Sequence, residues 1–278
     1  MNTSEAHALL TVARRAAEAG AHQLRRFDGQ RLAVRHKGQN TCELITDADE
    51  AAEAAVLAVL RQDTPAIPVL AEESGRHGEM GDLLWCVDPL DGTTNFAHGH
   101  PFFCTSVGLL RAGKPWLGAI VLPRMNEAFW GGDGLGAFCN DLPVQVSNRA
   151  TLNQSVLGTG FAYDRRQRLD NNYAEVCRFA HRVGGVRRGG AAAVDLAYVA
   201  CGRLDGYWER GLKAWDTAAG AAILQGAGGR VCAYDGSPLD IHSGRILAAC
   251  GVELQQRMTA VLVATRPLPL DCYGGEPA

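Results

Sequence analysis

The stretch Asp88-Pro89-Leu90-Asp91-Gly92-Thr93-Thr94-Asn95-Phe96 follows directly on the apolar run Leu83-Leu84-Trp85-Cys86-Val87. A short apolar run of this kind reads as a strand buried on both faces, so Asp88 stands at its carboxyl end, where open α/β sheets bind ligands. Pro89 has no N–H with which to extend a ladder and Gly92 admits unusual backbone angles, so Asp91 is expected to turn back toward Asp88. Two carboxylates facing one point repel, and one pKa rises sharply unless a divalent cation lies between them. Hard oxygen donors favour magnesium, manganese or calcium. The amides of Gly92, Thr93 and Thr94 would then open a short helix whose amino end attracts an anion. An Asp-Pro turn followed by a helix cap accounts for the same residues with no chemistry at all.

Three other segments bear on the choice. Ile67-Pro68-Val69-Leu70-Ala71 reads as a second buried strand and runs into Glu72-Glu73-Ser74, which sets another carboxylate pair at a strand end. Ala214-Trp215-Asp216-Thr217-Ala218-Ala219-Gly220 opens an apolar helix, for which Asp216 by itself serves as an N-cap. Thr46-Asp47-Ala48-Asp49 precedes an amphipathic helix with a start like a capping box, a structural reading sufficient in itself.

Taken together, Glu72-Glu73-Ser74, the Asp88 to Phe96 turn and Trp215-Asp216 with its Ala-Ala-Gly resemble, in order and spacing, the signature set of the inositol monophosphatase family. The resemblance runs from about the first helix to about residue 265. Arg187-Arg188-Gly189-Gly190-Ala191-Ala192-Ala193-Val194-Asp195-Leu196 and Asp205-Gly206-Tyr207-Trp208-Glu209 look especially like bacterial members. This implies an α/β (α+β) chain folded as a layered α/β/α/β/α sandwich of the inositol monophosphatase/fructose-1,6-bisphosphatase type. Residues 1–150 would form an α+β region with an antiparallel sheet and most metal ligands. Residues 151–278 would form a smaller α/β region with Asp216 and the substrate-recognition residues, packed with the first as one unit.

The resemblance also implies magnesium-dependent hydrolysis of a phosphate monoester, myo-inositol 1-phosphate foremost. Glu72, Asp88 and the Leu90 carbonyl resemble the ligands of a first Mg2+, and Asp88, Asp91 and Asp216 those of a second. Asp49 resembles an aspartate near a weaker third metal, with Asp47 in the same segment as a further candidate. Glu72 and Thr93 would orient and deprotonate the attacking water, while the amides of Gly92 and Thr93 hold the phosphate. Asp91, Gly190, Ala191, Ala192, Glu209 and Asp216 would meet the substrate alcohol; Glu209 can accept two hydrogen bonds from a polyol. Many relatives carry a hydroxyl residue where this chain has Ala191, so one polar contact is expected to be missing. Lithium sensitivity and a homodimer are further implications. Related phosphatases of fructose 1,6-bisphosphate, histidinol phosphate and 3′-phosphoadenosine nucleotides share these motifs, and some bacterial relatives act as partners in transcription complexes.

Composition sets bounds. A hydrophobic share of 47% against 21% charged suits a globular enzyme, and the formal charge of −3 argues against a general nucleic-acid binder despite Asp164-Arg165-Arg166-Gln167-Arg168 and Arg187-Arg188. The nine cysteines show no Cys-x-x-Cys spacing and mostly fall in apolar segments, so buried thiols in a reducing cytoplasm are expected. The eight histidines show no paired spacing that argues for zinc. The first twenty residues read as an amphipathic helix, not a signal peptide, and no apolar run reaches the roughly 18 residues that span a bilayer.

Periodicity and breakers predict helices over 4–27, 47–62, 171–183, 192–201, 214–226 and 253–264. Strands are predicted over 103–110, 116–122, 127–130, 155–159, 207–209, 229–234 and 246–250, the first two joined as a hairpin through Arg111-Ala112-Gly113-Lys114-Pro115. The last dozen residues read as a loose tail.

Overall fold

Alanine and leucine recur at helical spacing along the first segment, and the helix α1 (Thr3–Phe27) buries Leu9, Leu10, Ala13, Ala16, Ala17, Ala21 and Leu24 on one face. The computed structural model describes residues 3–30, 34–36, 44–79 and 81–269. A two-stranded ribbon, β1 (Val34–His36) and β2 (Leu44–Thr46), leads into α2 (Asp47–Asp63). The predicted capping box is present there: the Ala48 amide donates to Thr46 Oγ1 at 3.2 Å, and the Thr46 amide donates to Asp49 Oδ2 at 2.7 Å.

Eight strands then build the larger sheet: β3 (Val69–Ala71), β4 (Gly75–His77), β5 (Leu83–Asp91), β6 (Cys104–Arg111), β7 (Lys114–Leu122), β8 (Glu127–Gly132), β9 (Gly136–Cys139) and β10 (Leu142–Pro143). Their order is β10-β9-β8-β7-β6-β5-β3-β4, antiparallel throughout except for the parallel pair β3 and β5. The short helix α3 (Thr93–Ala97) sits between β5 and β6. The predicted hairpin is β6–β7, turning through Ala112 (φ 49°) and Gly113 (φ 72°), the left-handed angles that match strand twist in a two-residue turn.

The second sheet takes β11 (Val156–Thr159), β12 (Gly185–Arg187), β13 (Gly206–Arg210), β14 (Arg230–Cys232) and β15 (Arg245–Ala249) in the order β12-β11-β13-β15-β14. Four helices accompany it: α4 (Tyr173–Ala180), α5 (Ala192–Ala200), α6 (Ala214–Gly226) and α7 (Val252–Val263). Helices α5 and α6 are apolar nearly all round and almost wholly buried, which a helix tolerates only with cover on every side. They form the middle of five layers. α1 and α2 cover the outer face of the larger sheet, α6 its inner face, α5 the inner face of the smaller sheet, and α4 and α7 lie beyond. The layering is the expected α/β/α/β/α sandwich.

α6 approaches the larger sheet very closely. Gly108 and Gly118 are register partners on β6 and β7, and a Cβ at either would stand 2.5 Å from backbone atoms of Ala219. On its other side, a Cβ at Gly220 would stand 2.5 Å from Leu196 Cβ on α5.

Several expectations need correction. β5 does not stop before Pro89 but runs to Asp91, with Asp88 opposite Ser106 and Asp91 opposite Cys104; the extra residue forms a bulge, where a missing N–H is tolerated. The helix expected over 171–183 is only α4, because Asn172 adopts a left-handed φ of 70° and the buried Asn171 lies before the helix. Cys177 is exposed, whereas Cys86, Cys104, Cys232 and Cys250 are buried as expected. Most of the expected tail lies outside the described residues.

Candidate active site

The bulge in β5 decides the site. It takes Pro89 and Leu90 out of register between the paired Asp88 and Asp91, and Asp88, Leu90 and Asp91 all reach one cleft of about 580 Å³. The first link is local: the Leu90 amide donates to Asp88 Oδ1 at 3.0 Å. Gly92 follows with φ 95°, a left-handed angle, and a Cβ there would stand 3.0 Å from the Phe102 carbonyl; glycine alone allows α3 to begin at this point. Asp91 Oδ2 accepts from the Ala193 amide at 2.7 Å, which ties the strand end to the first turn of α5.

Glu72 lines the same cleft from the end of β3 and Asp216 from the first turn of α6. Asp216 is not the N-cap, since the cap position belongs to Lys213. It reaches back to accept from the Lys213 amide at 2.6 Å. Glu209 enters from β13 on the other sheet, with Gly190 and Ala192 nearby. The structure therefore brings together Glu72, Asp88, Leu90, Asp91, Gly92, Thr93, Gly190, Ala192, Glu209 and Asp216.

Three candidates stand elsewhere. Asp49 is buried behind the cleft wall, where Thr93 Oγ1 lies 3.1 Å from both its Oδ1 and the Leu90 carbonyl. Asp47 is exposed and pairs with Arg35 at 3.0 Å. Ala191 is buried and does not line the cleft; its methyl faces Gly92, 3.3 Å from where a Cβ would be. A hydroxyl at 191 would thus start from the packed side of the wall.

Burial and crowding of like charge dominate the electrostatics. Burial first, then the charges of Glu72, Asp91 and Asp216, hold Asp88 well above the usual carboxylate range, with Glu72 within hydrogen-bonding reach of it. Burial likewise pushes Asp91 up to about 7, with Glu72 and Glu209 adding to the rise and the α5 amides opposing it. Asp216 is raised by burial, then by Glu72 and Asp91. Asp49 is pushed up to about 6, chiefly by burial. Glu209 is pushed up to about 7 by burial, against the opposing hydrogen bond from the Tyr207 hydroxyl and the charge of Arg188.

Among the described residues no three His, Cys, Asp or Glu side chains close into a ready-made cage for an ion. Even so, Glu72, Asp88, Asp91 and Asp216 share one cleft as hard oxygen donors, and burial and mutual repulsion hold Asp88, Asp91 and Asp216 protonation-prone. A divalent cation relieves both effects, so the donor set fits one.

Sequence reasoning missed several supports. The Glu53 carboxylate accepts from the amides of Glu73 (2.9 Å) and Ser74 (3.0 Å), fixing the turn after Glu72. Gly160 leaves room for Glu209, whose Oε2 would lie 2.0 Å from a Cβ. Arg188, Lys213 and Tyr163 line the cleft. In the sequence Arg187-Arg188 is only a local basic pair; the fold brings Arg188 into the cleft, where its charge acts on Glu209.

A layered α/β/α/β/α sandwich with a carboxylate-lined cleft to which both sheets contribute residues defines a class of metal-dependent phosphatases. The model of the inositol monophosphatase family matches residues 5–266, and the chain belongs to that family. It is 47% identical to the inositol-1-monophosphatase of Synechocystis sp. over 94% of this chain and 91% of that protein. It is 39% identical to the Nus factor SuhB of Pseudomonas aeruginosa over 86% of this chain and 90% of that one. The solved inositol monophosphatase of Anabaena (Nostoc) sp. PCC 7120 superposes with a TM-score of 0.86 at 47% identity, covering 95% of this chain and 98% of that chain. No helix among the described residues is long and apolar enough to cross a membrane.

Proposed function

We propose that the chain hydrolyses a phosphate monoester, myo-inositol 1-phosphate foremost, with magnesium as its metal. One observation carries the reading: four carboxylates crowd one end of a cleft whose other wall presents Glu209, an acceptor suited to hydroxyls. Two ions held by Glu72, Asp88, the Leu90 carbonyl, Asp91 and Asp216, with Asp88 shared, would polarise the phosphoryl group and make water more acidic.

The chain's own groups do the rest. The hydrogen of the Thr93 hydroxyl is committed to Asp49 or to the Leu90 carbonyl, so its lone pairs are left to accept an O–H from the attacking water. Glu72 shares the work of orienting that water and taking its proton. The free amides at the start of α3, Gly92 and Thr93, donate to phosphate oxygens. Glu209, held by the Tyr207 hydroxyl, accepts from ring hydroxyls of the leaving alcohol.

The test is steady-state hydrolysis by purified protein with added magnesium across a panel of phosphate monoesters. Inositol 1-phosphate should give the highest kcat/KM, and Asp91→Asn and Asp216→Asn should each lose roughly 100-fold or more in rate. Rates within about tenfold of the unsubstituted chain in both variants would remove the two-metal reading. A higher kcat/KM for fructose 1,6-bisphosphate, histidinol phosphate or a 3′-phosphoadenosine nucleotide would replace the substrate.

The likeness to a Nus factor supports a second reading, a non-catalytic partner role in a transcription complex; the homodimer rests on family resemblance alone, and the cytoplasmic location on the cysteine pattern. A cellular role that survives Asp91→Asn would separate it from catalysis.

A further inference from the structure

Between β11 and α4 the chain makes a loop over residues 160–171 that forms one wall of the cleft through Phe161, Ala162, Tyr163 and Asp164. Its base is stitched to the second sheet. Asn172 Nδ2 donates to Thr159 Oγ1 at 2.8 Å and to the Gly160 carbonyl at 2.6 Å, and the indole of the buried Trp208 donates to Asn172 Oδ1 at 2.7 Å. Its crest is held by a two-pronged ion pair. Arg210, its side chain only 10% exposed, donates to Asp164 Oδ1 at 2.7 Å and Oδ2 at 3.0 Å and stands 3.4 Å from Asp170, which Arg245 also engages. A bidentate guanidinium fixes a direction as well as a distance. Arg210 directly follows Glu209 on β13, so the strand that presents the hydroxyl acceptor also anchors the facing loop.

Tyr163 is what this anchoring holds in place. It precedes Asp164, lines the cleft, and leaves 49% of its surface uncovered, among the few large apolar side chains so exposed. It shares the cleft with Glu72, Asp88, Asp91 and Asp216. An open aromatic surface on one wall and a carboxylate acceptor on another suit a ring that has hydroxyls at its edge and C–H bonds on its face.

We propose that Tyr163 is a specificity-determining residue: its ring packs against the C–H face of a cyclic polyol leaving group while Glu209 reads the hydroxyls, so the cleft prefers phosphates of ring alcohols to those of open-chain alcohols. This rests on the phosphatase reading above and deepens it. Asp164 acts through Tyr163, as a positioning residue.

The probes are myo-inositol 1-phosphate and glycerol 2-phosphate, which share the phosphate and differ in having a ring. Tyr163→Ala should raise KM for the inositol ester about tenfold, the upper range of an aromatic contact, with kcat nearly unchanged and the glycerol ester unaffected. Tyr163→Phe should behave as the unsubstituted chain, because it keeps the ring. Asp164→Asn should give a smaller KM rise for the inositol ester alone, and its unchanged kcat separates a displaced wall from a damaged fold. Equal losses for both esters would overturn the proposal, as would a loss in Tyr163→Phe equal to that in Tyr163→Ala, which would assign the effect to the hydroxyl. If the unsubstituted chain hydrolyses the glycerol ester but not the inositol ester, the substrate reading fails and this inference with it, a result visible before any variant is made.

Discussion

Gly118→Ala measures how closely α6 must seat for Asp216 to work. A Cβ at 118 would stand 2.5 Å from Ala219 Cα, 2.8 Å from its Cβ and 3.0 Å from its carbonyl oxygen. Carbon atoms at rest stand about 3.5–4.0 Å apart, so something must retreat by roughly 1 Å. Little can yield. A Cβ on the cross-strand partner Gly108 would likewise stand 2.5 Å from the Ala219 amide nitrogen, and one at Gly220 would stand 2.5 Å from Leu196 Cβ on the far side of α6. Overpacking of this kind costs about 1–3 kcal/mol, and in a chain of this size each kcal/mol lowers Tm by roughly 2–4 °C. Asp216 lies about one turn before Ala219, so a helix that retreats carries the carboxylate with it, and a misplacement near 1 Å costs on the order of 100-fold in rate. Thermal unfolding and steady-state turnover of inositol 1-phosphate at saturating magnesium read the two effects. Gly81→Ala is the control, since its Cβ would meet nothing nearer than the Leu83 carbonyl at 3.7 Å. An unchanged Tm would show that the sheet accommodates a methyl; a lowered Tm with full turnover would show that the seat of α6 does not control Asp216. Either result refutes the reasoning.

Without metal, the protein should lose stability as pH rises from about 5 to about 8. Asp91 moves from 3.8 to about 7 on folding, and Asp88 and Asp216 also rise, so the folded state keeps protons that the unfolded chain releases. The contribution is full below the unfolded value and is lost as pH passes the folded one. Melting in chelator at both pH values checks this, and added magnesium should largely restore stability at the higher pH; equal Tm values in chelator would count against it. Glu53→Gln should remove one of two charge-assisted bonds to the Glu73 and Ser74 amides, costing about 1–3 kcal/mol and lowering kcat more than KM because the turn carries Glu72. An unchanged kcat would mean that the turn holds Glu72 without it.

Residues whose role is local were legible in the sequence. The capping box at Thr46 and the hairpin through Ala112-Gly113 depend on neighbours a few positions apart, and composition marks them directly. The grouping of Glu72, Asp88, Asp91 and Asp216 came from family likeness, since no spacing rule links residues more than a hundred positions apart. Pro89 misled because its missing N–H was weighed against a regular ladder, whereas a bulge accepts it. Gly108, Gly118 and Gly160 were invisible for a related reason. Glycine within a strand signals close approach, but what approaches is set by the tertiary fold. Ala191 passed for a cleft residue because its neighbours are, yet the turn after Gly190 buries its methyl toward Gly92.

The carboxylates do not belong to one rigid element, and this shapes how the site is held. β5 supplies Asp88 and Asp91 from a bulge, β3 ends at Glu72, α6 brings Asp216 over Gly108 and Gly118, and β13 of the other sheet brings Glu209. Asp91 links two of these layers even without a ligand, because its Oδ2 takes the Ala193 amide of α5. Buried carboxylates that repel one another oppose the approach of those layers, and the apolar burial of α5 and α6 must overcome that opposition. A cation in the cleft would reverse the sign of the local interaction, turning repulsion between elements into shared attraction and stabilising the folded chain by mass action. Metal affinity and the packing of the middle layer are then one linked quantity. Gly118→Ala should therefore weaken magnesium binding as well as turnover, and isothermal titration of magnesium into that variant would read the link directly: an unchanged Kd would mean that the ions are held by the strand ends alone.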